Sequence, residues 1–185
     1  MVNLPDNKIL LPVVVDPEGN KYIEIVPQKA SMGYLKGFSD PEYIENLPRI
    51  QLPFLGQGVF RGFMAEGDSM PPFADGTCVI GEYVEELKDL KAGKGYIFIT
   101  REGYTFKTFV KLNNSTLTVA ADNNFYDPYD IPLKDIVQVW RYVRGILPQD
   151  YKPDYQDHYT LKSLVTQAQL SINNLEKLLS ANSKL

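Results

Sequence analysis

The chain has 185 residues, is 44% hydrophobic and 23% charged, and carries a formal net charge of −4. These values fit a soluble globular domain with an appendage, or two small domains, and argue against a nucleic-acid-binding domain, which is usually basic. A single cysteine, Cys78, excludes an internal disulfide framework and points to a reducing, cytoplasmic setting, while no stretch reaches the length of a membrane span.

The first 20 residues, MVNLPDNKILLPVVVDPEGN, lack a basic region and are broken by prolines, so they do not read as a signal peptide. KILLPVVV and KYIEIVP are two extended segments around a DPEGN turn, and a hairpin across Asp16–Asn20 is expected. Residues 27–48 are rich in small residues, Gly and Pro and lack a sustained period. They read as an irregular connection with a helical turn at Pro41–Leu47. From residue 50 to 147 the pattern is β-like. GVFRGFMAEG alternates imperfectly, and GTCVIGEYV follows an Asp75-Gly76 turn. KGYIFIT and YTFKTFVKL flank a short loop at Arg101–Gly103. TLTVAAD and IVQVWRYVRGIL complete the series. Short strands at close spacing predict a compact, partly closed, mainly β structure.

The C-terminal part differs. Residues 150–159 form a polar linker, and Thr160 to Leu185 contains neither Gly nor Pro. Leu161, Val165, Ala168, Ile172, Leu175 and Leu179 alternate in steps of four and three, which predicts a helix. The seam suits either a parallel two-stranded coiled coil or an amphipathic helix packed on its own domain.

Ser69 lies in MAEGDSMPPFADG, residues 64–76, between a glycine and two prolines. A side chain there is held on a stiff, exposed turn, which suits a polar cap or a nucleophile. A serine hydroxyl becomes a nucleophile when a base takes its proton. The only histidine, His158, sits in the polar linker and reads as a solvated residue. Lysine is the remaining common base, provided burial lowers its pKa from about 10.4. Lys107 meets that demand, lying within a predicted strand with no acid from Thr105 to Leu112. Alternation places it on the face of Thr105 and Phe109. Lys111 is expected on the same face, nearer the turn and solvated.

Gly67-Asp68-Ser69-Met70 followed by proline, Asp75-Gly76 and an apolar strand resembles the nucleophile box of the LexA/UmuD family of self-cleaving proteins. Lys107 follows Ser69 by 38 residues, and in the family a lysine follows the serine by a little under forty. TLTVAADNNFYDPYDI resembles its strand followed by Asn and a Tyr/Pro-containing turn, and IVQVWRYVRGI resembles its closing strand, so the likeness covers about residues 27–147. It implies a compact β-fold of the LexA and signal-peptidase kind with Ser69 as nucleophile and Lys107 as general base. The backbone amides of Asp68 and Ser69 become oxyanion donors. The family cuts its own chain before a glycine a little under forty residues ahead of the serine, which here matches Met32-Gly33. Two departures are Met32, where the family prefers a small residue, and Asp68, where it often has a bulky apolar one.

The resemblance divides the chain into an arm with the candidate cleavage loop (1–33), a peptidase and dimerisation domain (34–149), the linker (150–159) and the helix (160–185). It implies the effector half of a helix-turn-helix, phage-repressor-like transcriptional regulator. DNA would be contacted through a domain absent from this chain, a second copy would form a homodimer, and a RecA filament would act as co-protease. No metal, cofactor or membrane is implied. The alternatives are a non-cleaving dimerisation module of the same fold and a UmuD-like mutagenesis protein. A signal peptidase, which shares the serine–lysine chemistry, needs a membrane anchor.

Overall fold

The computed structural model describes residues 22–27, 34–35, 37–152 and 164–173. The chain divides into two compact units, Met1–Gln149 and Asp150–Leu185. The first is built on one open, mixed, nine-stranded sheet in the order β2-β1-β3-β4-β9-β5-β6-β7-β8. Its strands are β1 (Ile23–Val26), β2 (Arg49–Ile50), β3 (Phe60–Met64), β4 (Cys78–Val84), β5 (Gly95–Thr100), β6 (Gly103–Leu112), β7 (Thr116–Ala120), β8 (Tyr129–Pro132) and β9 (Ile136–Ile146). A short helix, α1 (Pro41–Glu45), precedes β2. It starts where expected because Asp40 accepts a hydrogen bond from Glu42 N–H and Pro41 opens the first turn.

The apolar run of β5 explains how the sheet is covered. Ile97 and Ile99 join Val26, Tyr34, Phe63, Val79 and Trp140 in one buried cluster. Tyr96 and Phe98 join Phe109, Leu117, Val119 and Val139 in another. A strand buried on both faces reads as a continuous hydrophobic run, as YIFI does. Trp140, central to β9, is fully buried, and each such large side chain stabilises the fold by about 1.5–3 kcal/mol. Cys78 is buried in β4, and its thiol is pushed up to about 11 by that burial.

Four expectations change. The sheet is open from β2 to β8 and not partly closed. Both edges of β1 are occupied, by β2 in antiparallel and by β3 in parallel register. Those neighbours take the place of a hairpin partner at Ile23–Val26, while the segment before Asp16 lies outside the described residues. Tyr129–Pro132, read as part of a turn, is the edge strand β8. A bulge at Val110 pairs Phe109 with Val119 but Lys111 with Thr118. The extra residue breaks the alternation that was expected to put Lys111 on the face of Lys107.

In the second unit residues 164–173 form a helix, α2. Leu164, Val165, Leu170 and Ile172 on it are exposed. The seam positions Leu161, Leu175 and Leu179 lie outside the described residues, as does His158. Among the described residues no helix is long and apolar enough to cross a membrane.

Candidate active site

The Ser69 turn is the loop from β3 to β4. Its base is closed by Ala65 N–H donating to Thr77 O at 2.7 Å and Gly76 N–H donating to Ala65 O at 3.0 Å. Gly67 adopts φ 77°, a left-handed conformation that favours glycine, and donates its N–H to the Asp75 carboxylate at 3.2 Å. Beyond the serine, the Met70 side chain is buried and anchors the loop to the domain.

A second loop, after β7, holds the turn from the other side. Asn123 N–H donates to Ser69 O at 3.1 Å, and its side-chain amide donates to Asp68 O at 3.3 Å. Tyr126 donates its hydroxyl to Asp68 Oδ1 at 2.5 Å. Hydrogen bonding to that carboxylate, with its charge alongside, raises the Tyr126 pKa. The Asp68 side chain is therefore engaged by the neighbouring loop. Among the described residues, the N–H groups of Asp68 and Ser69 donate to no protein acceptor.

Strand β6 delivers Lys107 to the serine. Lys107 Nζ lies 2.6 Å from Ser69 Oγ and 3.1 Å from Phe106 O. Desolvation lowers the lysine pKa, partly opposed by the charge of Asp122. Asp122 is in turn bound by the Thr108 hydroxyl at 2.7 Å. Local sequence around Lys107 contains no acid. Asp122 comes near only because β7 folds back along β6 with Thr108 opposite Ala120.

Ser69 and Lys107 lie where two recesses meet. The larger, about 360 Å³, is lined by Phe63, Met70, Phe73 and Phe106 together with the polar Glu66, Glu102 and Thr105. The smaller, about 340 Å³, is lined by Glu66, Asp68, Asp127, Tyr126 and Tyr129 as well as the pair itself. Tyr104 closes one side of the larger recess and donates to Met64 O at 2.9 Å. Burial, reinforced by the charge of Glu66, pushes its phenol up to about 12, so it stays protonated. The arrangement can accept a serine proton on an unprotonated lysine and accommodate an extended segment across both recesses.

The expected cleavage position, Met32-Gly33, lies outside the described residues. The next residue, Tyr34, is fully buried, with its ring 5.9 Å from that of Phe63. Asn123 and Tyr126 were not singled out from the sequence as parts of the site. Their only signal was position, in the polar turn that follows TLTVAAD. Among the described residues, no group of three or more His, Cys, Asp or Glu side chains could hold a metal ion. No protein-family model matches the chain, and no curated protein is significantly similar to it.

Proposed function

We propose that the chain is a self-cleaving serine peptidase domain, with a Ser69–Lys107 dyad on the LexA-like fold that its sequence resembles. The observation that carries this reading is the 2.6 Å contact between Lys107 Nζ and Ser69 Oγ where the two recesses meet. A lysine acts as a base only when neutral, and burial of Lys107 favours the neutral form.

In the proposed reaction the Ser69 proton passes to Lys107 Nζ while Oγ bonds to the Met32 carbonyl carbon. The amides of Asp68 and Ser69, which have no protein acceptor among the described residues, stabilise the oxyanion. The tetrahedral intermediate collapses, the Met32–Gly33 bond breaks, and Lys107 returns its proton to the Gly33 amine. Water then attacks the Ser69 ester, giving a proton to Lys107, which reprotonates Oγ as the Met32 carboxylate leaves.

Two features support cleavage at Met32-Gly33. Tyr34, which follows the candidate bond in sequence, is packed on Phe63, and Phe63 lines the larger recess, so the segment is tethered at Tyr34 to a residue of the site's lining. Such tethering replaces a bimolecular encounter by a local one. The apolar side chains Phe63, Met70, Phe73 and Phe106 also suit a methionine better than a pocket shaped for alanine would.

The wider role follows from the resemblance. The domain would serve as the effector and dimerisation half of a helix-turn-helix regulator, stimulated by a RecA filament. The exposed Val165 and Ile172 of α2 would meet those of a second copy. The test is intact-mass analysis of the chain incubated at alkaline pH over a range of protein concentrations. The expected outcome is two fragments meeting at Met32-Gly33, formed at a first-order rate independent of concentration. A chain that stays whole, with and without activated RecA, sinks the peptidase reading in favour of a non-cleaving dimerisation module.

A further inference from the structure

Strand β1 lies on the N-terminal side of the candidate cut, yet it is an interior strand of the sheet. It pairs with β2 through Ile23–Ile50 and Glu24–Arg49, and with β3 through Glu24–Arg61, Ile25–Gly62 and Val26–Phe63. Ile25 N–H donates to Pro48 O at 2.7 Å. Ile23 and Val26 are buried, in two different apolar clusters. Gly62 matches this occupant. A Cβ at that position would lie 3.2 Å from Ile25 Cγ1 and 3.0 Å from Cys78 Sγ, so the missing side chain lets β1 approach closely.

Arg61 ties both flanks of the cut to the same point. Its guanidinium lies 3.6 Å from the Glu24 carboxylate, with both side chains almost wholly buried. It also donates to Tyr34 Oη at 2.8 Å, and Tyr34 donates to Gln138 Oε1 at 2.8 Å. Glu24 precedes the segment that holds Met32-Gly33, and Tyr34 follows it. Arg61 further sits over the rings of Tyr34 and Trp140, at 5.5 Å and 5.3 Å.

We infer that the gap between β2 and β3 is a strand-binding slot whose occupant is this chain's own β1, and that cutting the chain between Pro27 and Tyr34 leaves the N-terminal piece bound there. As a description of the natural product it rests on the peptidase reading; the slot itself does not. Main-chain pairing on two edges supplies affinity, and the alternating Ile23, Glu24 and Val26 supply specificity. The product of cleavage is then a nicked complex, and separation of its parts requires a second event that extracts β1. The slot takes an extended segment with β-branched apolar residues around one carboxylate.

The experiment uses the full chain carrying Ser69→Ala, with the recognition sequence of an exogenous protease placed within residues 28–33. After that protease has cut, size-exclusion chromatography and native mass spectrometry read the assembly. Both pieces are expected in one complex at micromolar concentration, separating only in denaturant. An N-terminal piece that elutes alone, or a nicked chain that loses its circular-dichroism signature of strands, overturns the inference. A second measurement follows exchange of the bound piece for a labelled peptide spanning residues 20–28. The native peptide is expected to enter the slot, and the Glu24→Ala peptide to bind at least roughly 100-fold more weakly, as for loss of one partner of a buried pair. Equal binding of the two peptides contradicts the role of Arg61. If the Ser69 chain never cuts itself but the nicked complex holds, the slot stands and the peptidase reading falls.

Discussion

Replacing Arg61 with methionine should be among the most damaging single changes in the first unit. The guanidinium and the Glu24 carboxylate are 0% and 2% exposed, so removing the cation leaves a buried carboxylate without it. Breaking a buried pair from one side costs about 3–5 kcal/mol. The loss of its contacts with the Tyr34 and Trp140 rings adds about 0.5–2 kcal/mol. Domains of this size are stable by only about 5–15 kcal/mol. Urea denaturation followed by tryptophan fluorescence is suited to the measurement, because Trp140 is the only tryptophan and lies under Arg61. With a slope of roughly 2 kcal/mol per molar urea, the midpoint should fall by about 1.8–3.5 M. The double variant Arg61→Met with Glu24→Leu removes both charges and should recover most of that loss, since well-packed apolar pairs often replace buried ion pairs at little cost. A single variant that loses less than about 1 kcal/mol, or a double variant no better than the single, would refute the reasoning.

Four further outcomes are expected. Burial lowers the Lys107 pKa below 10.5, so self-cleavage should rise about tenfold per pH unit below the folded-state value and level off above it. Because the unfolded chain then holds the extra proton, this group's contribution to stability also increases as pH rises from the folded value through 10.5. A pH–rate profile that is flat from neutral to alkaline pH excludes Lys107 as the titrating base. Asn123→Ala removes the side-chain bond to Asp68 O, and a looser serine turn should slow cleavage by roughly tenfold while thermal unfolding changes little. An unchanged rate would show that this loop does not position Ser69. Cys78, with its thiol raised to about 11 and its side chain buried, should resist alkylation in the native chain at mildly alkaline pH and react promptly in denaturant. Mass spectrometry checks this directly, and fast native labelling would contradict the burial.

Most of the β-rich middle of the chain was legible because its signals are local. Alternation, aromatic and β-branched content and the Asp75-Gly76 and Arg101–Gly103 turns mark β3 to β7, and the β-branched and aromatic residues of IVQVWRYVRGI mark β9. Ser69 and Lys107 were legible through the residues around them and through the spacing found in the family that the sequence resembles. What escaped depends on chain segments meeting from a distance. Nothing local states that Ile23–Val26 would pair in parallel with Phe60–Met64, because periodicity assigns a face but not a neighbour. The bulge at Val110 inverts the expected alternation at Lys111 without any glycine to announce it. Asp122, Asn123 and Tyr126 looked like turn residues, and their approach to Lys107, Ser69 and Asp68 follows from the β6–β7 register. Tyr129–Pro132 contains an acid and ends in proline, a composition that suits an edge strand but does not identify one.

The central claim is that Ser69 and Lys107 act as one chemical unit. Its most direct test compares the intact chain with Ser69→Ala and Lys107→Ala during prolonged alkaline incubation, with intact mass as the readout and circular dichroism confirming that all three are folded. The account predicts fragments 1–32 and 33–185 from the intact chain alone. The same fragments from either folded variant would contradict it, because the bond would then be breaking without the pair.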